Sequence, residues 1–197
     1  MASKIKHVGD EDYDILIGTS DGGLIKGHSD ILTKVSTLFE EEYEPSELFD
    51  NKKCLEYYEF DFSNYVVHNV LTTLYSIYYD SNISLVPRSN DRENIDKLIF
   101  INILKIKIDI QNYKQKLVSK IIEYYADSWL ELVECYYNVE AAKEIINLFF
   151  KRYSEGDPSL KLLSSKDLSE IEDKNLVTKL VSLMLQRNRL EATNKIN

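Results

Sequence analysis

Cysteine, proline and glycine are all scarce in this chain of 197 residues, with 2, 3 and 6 copies respectively. The two cysteines, Cys54 and Cys135, form no Cys-x-x-Cys and have no histidine at ligand spacing. That excludes a disulfide scaffold and a zinc ribbon, and it points to a reducing compartment with both thiols packed as small apolar groups. So few Pro and Gly leave little room for long irregular linkers. Long hydrophobic runs are also missing. The most apolar window, IDKLIFINILKIKIDI at residues 95–110, is interrupted by charge and too short to span a bilayer. The start, MASKIKHVGDED, has no apolar core of a secretory signal. The expectation is a soluble protein with no membrane partner, located in the cytoplasm and with the nucleus left open. A chain of this size buries roughly 70% of its unfolded surface, so its core needs no metal or disulfide staple.

Basic residues are scarce in the first half. Residues 1–80 hold 16 Asp and Glu against 6 Lys and Arg, so the whole net charge of −9 belongs to that part. The acids concentrate at Glu40, Glu41, Glu42, Glu44, Glu47 and Asp50. Such a face repels nucleic acid and attracts a basic protein surface, with a merely solvated helix end as the alternative.

What is present falls into two periods. Residues 13–19 (YDILIGT) alternate and are rich in β-branched residues, and residues 24–27 form a second short run. Gly22 and Gly23, between them, supply the positive φ angles of a two-residue hairpin turn. From His28 the spacing becomes helical through Ile31, Leu32, Val35, Leu38 and Phe39, with a break near Ser36. Residues 57–62 (YYEFDF) form a third strand by aromatic content, and Ser63 caps an amphipathic helix carrying Val67, Val70, Leu71, Leu74 and Tyr78. A polar loop with Pro87 leads to a helix with Ile95, Leu98, Ile99 and Ile103 inward. Residues 105–110 (KIKIDI) alternate like a strand, but the preferred reading is a short break before a second helix capped by Asp109. The remainder is helical: one helix from Asp127, one from Asn138, a short one capped by Ser164, and a last one over residues 174–189. The class is therefore α+β, with a small sheet flanked by helices and an all-α extension. The expected organisation is a tail over residues 1–11, a domain over 12–125, a helical extension over 126–190 and a frayed end over 191–197.

No reactive constellation emerges. Gly22-Gly23 opens into a strand rather than a helix, and no Lys-Ser or Lys-Thr follows, so the pair is a turn and not a phosphate cradle. His28-Ser29-Asp30 fails as a triad because adjacent residues do not face one another. His28 is expected to be packed or backbone-bonded at a strand-to-helix junction, with Ser29 or Asp30 capping the helix. His7 falls in a loose terminus and His68 on a helix, so no three metal ligands gather. Lys105, Lys107, Lys114, Lys116 and Lys120 are expected to solvate the outer faces of core helices, not to bind nucleic acid. No cofactor, metal or catalytic residue is assigned, and the chain is read as a non-enzyme.

The order of these elements, with particular residues in them, resembles the BTB/POZ family. Asp14 heads the strand ILIGT, Gly22 and Gly23 make the hairpin, and His28 begins HSDIL with Leu32 behind it. Ser36-Thr37-Leu38-Phe39 supplies a Ser-x-x-Phe, an acidic stretch and YYEFDF follow, and Leu74-Tyr75 ends the long helix. The later helices are similar to the first part of a BACK extension. The resemblance implies a protein-interaction scaffold, an adaptor that docks a cullin for a ubiquitin ligase or a competitor of one. The implied contact residues are Phe39, Tyr43, Glu47, Leu48 and Asp50. Self-association as a structural protein is the alternative.

Three departures from the family pattern bear on this. Ser29 stands where the family has Lys, and Leu48-Phe49-Asp50 is the nearest copy of the φ-x-Glu element. The segment before Asp12 is shorter than the exchanged N-terminal element of dimeric members, which leaves a homodimer to another route. The abundance of Ile, Asn, Lys and Tyr fits an AT-rich genome such as that of a large DNA virus, in which case the compartment is the host cytoplasm.

Overall fold

A computed structural model describes residues 5–43, 56–88 and 91–194. The described residues fall into two compact units, those within 1–88 and 93–117, and those within 89–92 and 118–197.

The first unit opens with strand β1 (Ile15–Thr19) and strand β2 (Leu24–Gly27), antiparallel, with Ile15 opposite Gly27 and Gly18 opposite Leu24. The hairpin differs from the two-residue expectation. Thr19 N–H donates to Gly23 O and Gly22 N–H to Thr19 O, which closes a three-residue loop with Gly22 at φ +77°. In a three-residue hairpin the left-handed conformation is required once, at the last loop position. Gly23 is needed for a different reason: a Cβ there would collide with the Asn64 and Thr19 side chains.

Helix α1 (Ser29–Val35) and helix α2 (Thr37–Glu42) follow, broken at Ser36. Ser36 is buried and extended; its hydroxyl donates to Leu104 O at 2.5 Å and accepts the Phe39 N–H. One small side chain therefore ends α1, caps α2 and fastens the end of a third helix. Strand β3 (Glu56–Phe60) then lies parallel to β1, Ile15 beside Glu56 and Thr19 beside Phe60, giving the order β2-β1-β3. It begins and ends earlier than residues 57–62, because Phe62 has left the ladder, its carbonyl accepting Ser20 N–H.

Helix α3 (Asn64–Tyr79) starts at Ser63, whose hydroxyl accepts the Val66 N–H as expected. Helix α4 (Asn94–Leu104) is buried around most of its circumference, through Ile95, Leu98, Ile99, Phe100, Ile101 and Leu104. Ile103, expected inward, is only half-buried. Burial on several sides explains why the stripe of Ile95, Leu98, Ile99 and Ile103 captures only part of the buried surface of α4. Beyond it Lys105 turns left-handed, at φ 50°, and Ile106 forms a single antiparallel bridge with Ser36. The alternation of KIKIDI thus amounts to one bridge. Asp109 accepts the N–H of Gln111, the first residue of helix α5 (Gln111–Tyr125), in the expected capping role.

The second unit carries helix α6 (Trp129–Tyr136), a 3-10 turn (Glu140–Ala142), helix α7 (Lys143–Ser154), helix α8 (Ser165–Ser169) and helix α9 (Lys174–Asn194). Trp129 is fully buried, stacks on Phe149, lies against the tilted Tyr153 ring, and donates its indole N–H to Lys161 O. The α6 cap position is Ser128, not Asp127. Ser164 and Asp167 make a reciprocal capping box on α8. Helix α9 runs five residues past the expected end at 189. The fold is α+β, a three-stranded mixed sheet with nine α-helices among the described residues. Among the same residues no helix is long and apolar enough to cross a membrane.

Candidate interaction surface

Asp14 precedes β1 and reaches the start of α1, where its carboxylate accepts the Ser29 N–H at 2.7 Å and the Ser29 hydroxyl at 2.5 Å. This corrects the expected cap. Neither Ser29 nor Asp30 caps α1; the cap arrives from 15 residues away, because the β1–β2 pairing returns the chain beside Asp14. His28, at 0% exposure, donates its backbone N–H to the Tyr75 hydroxyl at 2.8 Å, and its Nδ1 lies 3.2 Å from the same oxygen. Burial raises the Tyr75 pKa, which keeps the phenol neutral and able to take part in both contacts. Leu32 is buried one turn behind.

The three neighbours of the excluded triad point three ways. The His28 ring faces Tyr75 and Asp12, Ser29 bonds Asp14, and Asp30 pairs with Lys6 at 3.0 Å.

Two features of the amino-terminal segment were not legible from residue spacing. Residues 5–12 are pinned: Lys6 N–H donates to the Tyr79 hydroxyl, Gly9 N–H to Lys26 O, and Lys26 pairs with Glu11 at 2.7 Å. Asp10, Asp12 and His28 also place three ligand-type atoms within 4.8 Å of one another, a grouping that residue spacing did not reveal.

Of the partner-contact candidates, Glu47, Leu48 and Asp50 lie outside the described residues. Phe39 is corrected. It is fully buried, edge-on to Tyr58 at 4.8 Å and Phe60 at 6.3 Å, because the Ser36 cap turns its side chain towards β3. It belongs to the core and offers no contact surface. Tyr43, half-buried, closes α2 by donating its N–H to Phe39 O.

The acids of α2 are partly answered from within the unit, Glu40 by Lys107 at 2.8 Å and Glu41 by Lys105 at 3.7 Å; Glu42 is exposed. Four of the five lysines expected only to solvate helix faces bridge segments, while Lys120 pairs within α5 with Glu123. Lys107 also donates to Thr33 O, Lys114 to Asn102, and Lys116 to Ser84 and Leu85 O. This charge is engaged with the chain itself and does not make an open basic track.

The outer face of the sheet is a second surface. Leu24 is 62% exposed and Tyr57 55% exposed. Leu16, opposite both Lys26 and Tyr57, lies between these strands on the same face, since Ile15 and Ile17 point to the core. Tyr57 lies across Gly18, where any Cβ would strike its hydroxyl, so Gly18 is what lets the ring lie flat on the sheet.

In the second unit a groove of 570 Å³ runs between α7 and α9. Phe150 and Ile146 make its apolar floor, with Asn147, Asn175, Lys143 and Lys179 at the rim.

No family model matches the chain, and no curated protein matches it either.

Proposed function

We propose that this chain is a protein-interaction module of BTB/POZ type that engages a cullin-family scaffold, as a ligase adaptor or as a competitor of one. The observation carrying this reading is the path of the first unit. A β1–β2 hairpin is followed by two short helices broken at a capping serine, and then by β3 parallel to β1. The His28–Tyr75 and Asp14–Ser29 bonds support it, since both involve positions on which the resemblance rests. The acidic end of α2, with half-buried Tyr43 beside exposed Glu42, combines an apolar anchor with a charged rim, the usual composition of an interaction hot spot. In an adaptor, the groove between α7 and α9 is where a recruited segment would be held.

The test is to mix the purified chain with a cullin N-terminal domain. A complex is expected at about 10 μM, corresponding to roughly 7 kcal/mol of binding free energy. Tyr43→Ala should weaken it tenfold or more, and absence of a complex at that concentration removes the reading. Self-association without a ligase link is the second reading, favoured by the exposed Leu24 and Tyr57 on the sheet face. A stable homodimer in solution that ignores the cullin and dissociates on Leu24→Ser with Tyr57→Ser would establish it instead.

A further inference from the structure

We infer that Asp10, Asp12 and His28 form a binding site for a divalent transition-metal ion of zinc type. One carboxylate oxygen from each aspartate and one imidazole nitrogen lie within 4.8 Å of one another. His28 Nε2 is 3.3 Å from Asp12 Oδ1. Without an ion the contact is a long hydrogen bond, just beyond the usual N–H···O range of about 2.7–3.2 Å. The distance equals the nitrogen-to-oxygen edge of a tetrahedron, about 3.3–3.4 Å, built on metal bonds of about 2.0–2.2 Å.

The supporting shell is also in place. Nδ1 of His28 lies 3.2 Å from the Tyr75 hydroxyl, which fixes the ring plane and, in the tautomer with Nδ1 protonated, leaves the Nε2 lone pair facing Asp12. The Asp10 carboxylate is oriented by the His7 N–H at 2.8 Å. Closing the set asks only for side-chain rotation of the aspartates, on the surface segment before β1, while the His28 ring stays buried in the core.

The charge around the site favours a cation. Asp14 and Asp30 add two more carboxylates nearby; against them stand Lys6, paired with Asp30 and also acting on Asp12 and Asp14, and Lys26, paired with Glu11, which leaves the acids in excess. A mixed imidazole and carboxylate set suits zinc better than calcium or magnesium, which prefer oxygen donors throughout. Three protein ligands leave a fourth position for water. The bound ion would fasten residues 7–12 to the β2–α1 junction.

The test uses the full chain, stripped with a chelator and then titrated with Zn2+ against a chromophoric competitor at pH 7. One saturable equivalent is expected. Asp10→Asn and Asp12→Asn should each weaken it at least tenfold; Asp12 is half exposed, and an asparagine at 10 still offers an oxygen to the His7 N–H, so these variants keep the fold. Co2+ in place of zinc should give a visible absorption band in the wild type that Asp12→Asn abolishes. Excess Ca2+ should leave zinc bound, because it cannot use the nitrogen donor. Absence of saturable binding overturns the inference, as does binding unchanged by both asparagine variants or displacement by equimolar Ca2+.

Discussion

Single side chains decide where the first unit turns. Asp14 accepts two hydrogen bonds from Ser29, one from the amide and one from the hydroxyl. Asp14→Ala is therefore expected to cost about 1–2 kcal/mol, in line with loss of a helix cap, and Ser29→Ala less, since the amide bond remains. Urea unfolding of the two variants side by side checks the order; equal losses would remove Asp14 as the cap. Tyr75→Phe leaves the buried His28 N–H without its acceptor, a loss of about 1–3 kcal/mol by the same measurement. Lys97 is a case that periodicity does not disclose. It is buried within α4, its ammonium over the Tyr65 ring at 4.4 Å and 3.2 Å from the hydroxyl. A lysine in an apolar run reads as a solvated position until the partner that covers it is known.

At the scale of elements, helices are stabilised by what fills their ends and seams. In α8 the Asp167 pKa is lowered, first by the hydrogen bond from the Ser164 side chain and then by the Ser164 backbone. A carboxyl lowered on folding stabilises the folded state above its unfolded pKa, about 3.9. That contribution disappears as pH falls through the lower folded value. The protection factor of the α8 amides, which is the exchange rate corrected for its intrinsic pH dependence, should therefore fall on acidification below about pH 4 in the wild type. In Asp167→Asn that protection should be low already at neutral pH and change little on acidification. The α7–α9 seam depends on Arg187, which is buried over the Tyr153 ring at 5.0 Å, donates to the carbonyls of Tyr153 and Asp157, and pairs with Glu191 at 3.1 Å. Arg187→Ala should destabilise the second unit by about 2–4 kcal/mol, and Arg187→Lys should recover little, because an ammonium cannot make the planar forked contacts. Thermal melting followed at Trp129 fluorescence reports it, since Trp129 contacts Tyr153.

For the whole molecule the uneven charge is the property with the widest reach. The acids are concentrated in the first half, and among the described lysines several are already engaged by that unit's own groups. Under the proposed reading a basic partner surface is attracted by this field, so association should slow by several-fold between low and physiological salt while dissociation changes little. Stopped-flow mixing with the cullin domain at two ionic strengths measures both rates. A salt-independent association rate would place the contact away from the acidic region.

What the sequence determined by itself were the features that depend on neighbouring residues. The hairpin over residues 15–27, the break at Ser36, the cap at Ser63, the pause between α4 and α5 and the capping box at Ser164 all arise from local φ preferences, short-range hydrogen bonds or apolar period. Tertiary structure decided whatever requires two distant segments to meet. The parallel placement of β3 beside β1, the Asp14 cap on α1, the burial of Phe39 and Lys97, and the convergence of Asp10, Asp12 and His28 fall in this group. The reason is physical: a cap, a ladder or a ligand set is defined by distances in space, and a one-dimensional spacing of 15 or more residues does not specify them.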